Sequence, residues 1–143
     1  MGLKFPPRVG QVLLCEFPSS LTPPEMVKTR PVVVVTPRLT GRSGLVGIVP
    51  LSTTAPHPIC SHPCRVAMSS MPRPLQATTL EIWAKCDMVY TFCLARLDRF
   101  KSGKDRNSGK RLYDSGQLTG AEMDEVRRCV AAAFGITPRL LNE

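Results

Sequence analysis

Two stretches of this chain carry side chains with the chemistry to hold a ligand. Between residues 99 and 111 stand Arg99, Lys101, Lys104, Arg106, Lys110 and Arg111, opposed only by Asp105, so the segment holds +5 of the formal net charge of +8. Cations at that density can track the phosphates of a nucleic acid, and Tyr113 just beyond them offers a ring on which a base could stack. Gly103, Ser108 and Gly109 equally suit a solvated loop. The second stretch holds His57, Cys60, His62 and Cys64, the ligand types zinc prefers. Their tight spacing and the intervening Pro58 and Pro63 make one tetrahedral site awkward. The expectation there is a polar loop with no metal, and no cofactor elsewhere.

A net positive charge favours an acidic partner: nucleic acid first, an acidic protein second, an anionic membrane a distant third. The 143 residues fit one domain, and 43% hydrophobic content argues against wholesale disorder. No apolar run approaches the roughly 18 residues of a membrane span. Residues 1–9 lack the apolar core and cleavage site of a signal peptide, so a cytoplasmic protein is expected. Cys15, Cys86, Cys93 and Cys129 lie in apolar or strand-like runs and read as buried thiols rather than a disulfide framework.

The elements that must position these side chains are mostly strands. Gly10 to Phe17 alternates as a strand, and a Pro-broken loop runs from Pro18 to Arg30. Pro31 opens Val32-Val33-Val34-Val35, a β-branched run suited to burial on both faces. A turn at Gly41 to Gly44 and a strand from Leu45 to Leu51 complete an antiparallel hairpin. Residues 52–76 read as irregular with a short strand near Arg65 to Met68. Further strands are expected at Leu80 to Trp83, with Trp83 buried in the barrel, and at Asp87 to Cys93. Eleven of the fourteen prolines fall between Pro18 and Pro74, which leaves almost no room for helix before residue 90. Thr119 and Glu122 have capping-box spacing, and Met123, Val126, Val130 and Ala133 or Phe134 then form one apolar stripe that Gly135 and Pro138 terminate. The fold class is mainly β: a small antiparallel barrel covered by a C-terminal helix.

Three ordered segments resemble the PemK/MazF family of toxins. They are Gly10 to Phe17, Glu25 to Val35 with its Arg-Pro step before the valines, and Val49-Pro50-Leu51-Ser52-Thr53. The stretch from Lys85 to Leu97 is similar to the family's last strands, and the resemblance spans roughly residues 9 to 135 of a single domain 1–143. It implies an SH3-like barrel, a homodimer, a cognate antitoxin that blocks the active groove, and cleavage of single-stranded RNA without a metal. The segment before Arg30 departs from the family in carrying Pro23-Pro24 and no glycine, and Ser52 stands where threonine is common.

The resemblance also implies site residues. RNA can be cut by its own 2′-hydroxyl if a protein aligns the attack and stabilises charge on the phosphoryl oxygens. Arg30 matches the family's catalytic arginine, and a guanidinium suits that charge role. Ser52, with Thr53 as second choice, matches the hydroxyl that hydrogen-bonds the scissile phosphate. Glu25 is placed to orient Arg30 or the attacking hydroxyl. Lys28, Lys104, Arg106, Lys110 and Arg111 are the expected RNA-binding cations. Each has a plainer reading: a junction arginine, strand-end hydroxyls that cap backbone, a solvated carboxylate, a solvated basic loop. The rival function is a non-catalytic SH3-like barrel that binds nucleic acid or a protein target such as a DNA topoisomerase.

Overall fold

The valine run dictates the centre of the molecule. In the computed structural model, which describes residues 2–55 and 63–136, Val32, Val33 and Val34 are all fully buried. They belong to β2 (Thr29–Val34), which lies between β1 (Gln11–Glu16) and β3 (Leu45–Ser52) in antiparallel register, Val12 opposite Val33 and Val33 opposite Val49. Val33 packs with Val12, Val49 and Leu51 on one face, while Val32 and Val34 pack with Leu13, Cys15, Val46 and Ile48 on the other. Alternation along each strand therefore builds two apolar layers, one per face.

Curling follows from how the outer edges are shared. The far edge of β1 pairs first with β10 (Gly116–Gln117) and then with β7 (Leu97–Asp98). The far edge of β3 pairs with β6 (Tyr90–Cys93) over one half and β5 (Ile82–Lys85) over the other, and β4 (Pro63–Val66) lies outside β5. Two short strands end to end on each edge split the sheet into a half-barrel in which every one of these pairings is antiparallel. Gly116 sits at one such rim: a Cβ there would collide with the Ser70 carbonyl oxygen and with Val12 Cβ.

One face is closed by α2 (Gly120–Ala133), whose Met123 and Val126 enter the layer around Val33. Thr119 Oγ1 accepts from Glu122 N and Glu122 Oε1 accepts from Thr119 N, so both halves of the capping box form. The apolar stripe ends at half-buried Ala133 and Phe134 is exposed, because Gly135 turns the chain out at φ 73°. Pro138 lies outside the described residues. The opposite face is covered by Leu21 and Met26 of the 18–28 loop and by Phe17, Tyr90 and Phe92, whose rings meet at 5.2–5.5 Å.

Several expectations change. A helix does form before residue 90: α1 (Arg73–Thr78) starts at Pro72, with Pro74 inside its first turn, where proline's missing N–H and fixed φ do no harm. The basic segment is not a loop but a hairpin of β8 (Phe100–Lys104) and β9 (Arg111–Asp114). Cys93 is exposed because it sits on the outward side of β6, while Cys64 is buried beside Cys86. Trp83 is only half-buried, since its neighbours Ile82 and Ala84 take the inward positions of β5.

Ser70 is the one buried polar side chain among the described residues, and its hydroxyl donates to Glu122 Oε1 at 2.6 Å. Glu122 Oε2 accepts from Ala67 N at 3.0 Å, so this carboxylate ties the helix start to residues 67–70. Partial burial pushes the carboxyl up, but the bonds from Ser70, Thr119 and Ala67 outweigh it and hold it below its ordinary value. A lowered carboxyl stabilises the fold above the ordinary carboxylate range and loses that contribution as pH falls through its folded value. Glu122→Gln should cost about 1–2 kcal/mol at neutral pH, with the gap to wild type narrowing toward acid, as measured by urea unfolding at a series of pH values.

Candidate active site

Arg30 lies at the exposed start of β2, opposite Cys15 of β1. Its Nε donates to the carbonyl of Val27 at 3.2 Å, which fixes the guanidinium stem and leaves both terminal NH2 groups with no hydrogen-bond partner among the described residues. The preceding chain is set by Lys28, which takes the left-handed conformation at φ 69°, and its carbonyl accepts from Phe17 N at 3.0 Å. A side-chain-bearing residue held there costs about 1 kcal/mol, which the surrounding contacts must supply. One contact is the bond from Met26 N to Tyr90 Oη at 3.1 Å, which pins the 18–28 loop over the aromatic cluster.

Ser52 reaches the same end of the sheet. The β2–β3 pairing ends at Val32 opposite Pro50, two residues short of both Arg30 and Ser52, and Ser52 itself pairs with Trp83 of β5. Both are outside the buried layers. Ser52 Oγ accepts from Thr54 N at 3.2 Å and approaches the Thr54 carbonyl at 3.4 Å, a local turn at the strand end. Thr53 is exposed next to it. Glu25 is engaged elsewhere: its Oε1 accepts from Thr22 N at 2.8 Å, and Arg30 donates to the Val27 carbonyl rather than to this carboxylate.

The predicted cations separate into two groups. Lys28 lines an open groove of about 610 Å³ with Glu16, Ser19, Ser20, Thr29 and Arg96, directly before Arg30 in the chain. Lys104, Arg106, Lys110 and Arg111 lie on the β8–β9 hairpin, beyond the far edge of β1. Tyr113 is partly covered there by the Arg99 guanidinium, 4.6 Å above its ring. Asp105 shapes the hairpin turn. A hydrogen bond from Asn107 N, with further ones from Ser108, holds its carboxyl below the ordinary value.

Arg96 is the groove residue that sequence reasoning missed. It comes from the short 3-10 turn Leu94–Arg96, and only the pairing of β7 with β1 brings it near Cys15. No periodicity marks such a residue. Cys15 itself, although opposite Arg30, is pushed up to about 12 by burial, against a smaller lowering by Arg96. It stays a neutral thiol at physiological pH and supplies no base. Of the four residues of zinc-ligand type, for which no metal is expected, His57, Cys60 and His62 lie outside the described residues. Cys64 packs in the core, where its thiol meets those of Cys86 and Cys129. Burial and the bond to Cys64 push the Cys86 thiol up.

The loop that carries Lys28 and Arg30 depends on the Tyr90 hydroxyl. Tyr90→Phe should lower stability by about 1 kcal/mol in chemical denaturation and leave the aromatic packing in place.

The family model described as PemK-like, MazF-like toxin of type II toxin-antitoxin system matches residues 8–134. Over 119 residues the chain is 34% identical to YifN of Escherichia coli (strain K12), an alignment that covers 71% of this chain and 78% of that protein. Its fold is similar to that of an endoribonuclease in complex with its cognate antitoxin from mycobacterial species, with a TM-score of 0.58, 22% identity, and 92% and 97% of the two chains covered. It is also similar to MazE-MazF (Form-II) from Deinococcus radiodurans, with a TM-score of 0.60, 13% identity, and 94% and 100% covered.

Proposed function

Because the chain belongs to the PemK-like, MazF-like toxins of type II toxin-antitoxin systems, we propose that it is an endoribonuclease that cuts single-stranded RNA without a metal. The observation that carries this reading is Arg30: an exposed guanidinium, anchored through Nε at the sheet end where Ser52 also lies, whose terminal donors have no hydrogen-bond partner among the described residues. In the proposed reaction the ribose 2′-hydroxyl loses its proton and attacks the adjacent phosphorus. The bond to the 5′-oxygen of the next nucleotide breaks, and that oxygen takes up a proton. Arg30 stabilises the negative charge that accumulates on the non-bridging oxygens, where a planar fork of donors is most effective.

Ser52 and Thr53 are proposed to contact the scissile phosphate from the neighbouring strand, which requires Ser52 Oγ to exchange its long bond to the Thr54 carbonyl for one to RNA. Glu25 acts at a distance by holding the loop before Arg30. Lys28 and Arg96 flank the groove and would receive adjacent phosphates. We further propose a homodimer and an antitoxin partner. Those features suit the family, and a small half-barrel gains stability by pairing.

The reading is tested with purified protein, a long single-stranded RNA and EDTA. Discrete fragments are expected. Arg30→Ala should fold normally and lose activity on the order of a hundredfold or more, with Arg30→Lys a poor rescue. An RNA carrying a 2′-deoxy sugar on the 5′ side of the cut should bind and stay intact. Cleavage of that deoxy substrate, or full activity in folded Arg30→Ala, overturns the mechanism. A gel shift with no fragments supports a non-catalytic barrel instead.

A further inference from the structure

The β8–β9 hairpin does more than add charge. With the far edge of β1 it frames an open bowl of about 630 Å³. The apolar wall is Leu14, Phe100 and the Tyr113 ring; the rim carries Arg99, Lys101 and Arg111; Asp98 is the single carboxylate. Leu14 packs with the layer under α2, whereas Cys15, the residue opposite Arg30, belongs to the other layer. Successive strand residues point to opposite faces, so this bowl and the Arg30 site lie on opposite sides of β1.

We propose that this bowl binds one nucleotide of a single-stranded RNA, as a second contact separate from the cleavage site. The proposal rests on the RNA-cleaving reading only for the identity of the polymer. The volume lies within the range of small-ligand sites. Three cations at the rim suit a phosphate. Lys101 stands opposite Tyr113 in the hairpin register and Arg111 lies two residues before it, so both share a side with the ring. Arg99 already shows how a planar group seats on Tyr113, at 4.6 Å from the ring centroid. A base can stack against that ring or against the guanidinium itself.

Asp98 gives the bowl a polarity. Its Oδ1 accepts from Arg99 N at 2.8 Å, which orients the carboxylate. A carboxylate can only accept, so it repels the phosphate toward the cations and selects a base edge rich in donors. Guanine presents ring N–H and amino donors side by side, while uracil presents one ring N–H. The bowl therefore favours guanine over uracil.

The test is titration of the full-length protein with 5′-GMP, 5′-UMP, ribose 5-phosphate and inorganic phosphate at low salt, read by calorimetry and by NMR of the Leu14 methyl and Tyr113 ring signals. GMP should bind and shift those signals. UMP should bind several-fold more weakly, and ribose 5-phosphate about tenfold more weakly, the loss expected of one base-aromatic contact. Tyr113→Ala should weaken GMP about tenfold, and Arg111→Gln, at an exposed position, should weaken it as well and covers the case in which Tyr113→Ala misfolds. Arg30→Ala should leave GMP affinity unchanged. Equal binding of GMP, ribose 5-phosphate and inorganic phosphate would reduce the bowl to a charge patch and overturn the proposal. So would shifts confined to the groove lined by Lys28 and Arg96. Cleavage in EDTA with no GMP binding removes the bowl and keeps the enzyme, whereas GMP binding without cleavage does the reverse.

Discussion

Burial of three adjacent strands on both faces demands two covers, and the placement of Arg30 hangs on the second of them. The first cover is an amphipathic helix, α2, which needs only its stripe and its cap. The second cannot be a helix, because the 18–28 segment is broken by proline. It is an irregular loop that lays Leu21 and Met26 on the aromatic cluster and ties its backbone to the Tyr90 hydroxyl. That loop ends at Lys28 and Arg30. The apolar demand of Val32 and Val34 and the position of the exposed guanidinium are thus one constraint.

The same economy explains why the Arg30 guanidinium is left exposed. It stands two residues from a fully buried valine, on the face where the layer runs out at the sheet's end. Its stem is held by a backbone carbonyl rather than by a carboxylate, so its charge is left uncompensated. A salt bridge from Glu25 would have neutralised the field on which the proposed cleavage draws. The carboxylate instead closes its own turn at Thr22.

The edges of the sheet carry a second division of labour. Because β1 shares its far edge between β10 and β7, the chain leaves the sheet after Asp98 and returns as a separate basic hairpin. Most of the clustered charge therefore sits on the other side of β1 from Arg30. A protein that engages a flexible polyanion gains from two contacts at a fixed separation, since the first binding event makes the second intramolecular.

Local pattern by itself determined a good deal. The valine run, its flanking prolines and the capping box of Thr119 and Glu122 mark elements whose stability is settled within a few residues, and the family could be read from the order of such segments. Pattern also placed Arg30 just before, and Ser52 just after, the two strands of one hairpin. Tertiary structure decided the rest. Arg96 joins the groove only through the pairing of β7 with β1, and Cys64 enters the core only because β4 lies against β5. The closing of a bowl between Leu14 of β1 and the basic hairpin likewise needs segments far apart in the chain. Contacts between residues distant in the chain carry no local periodicity, so no window of sequence could have displayed them.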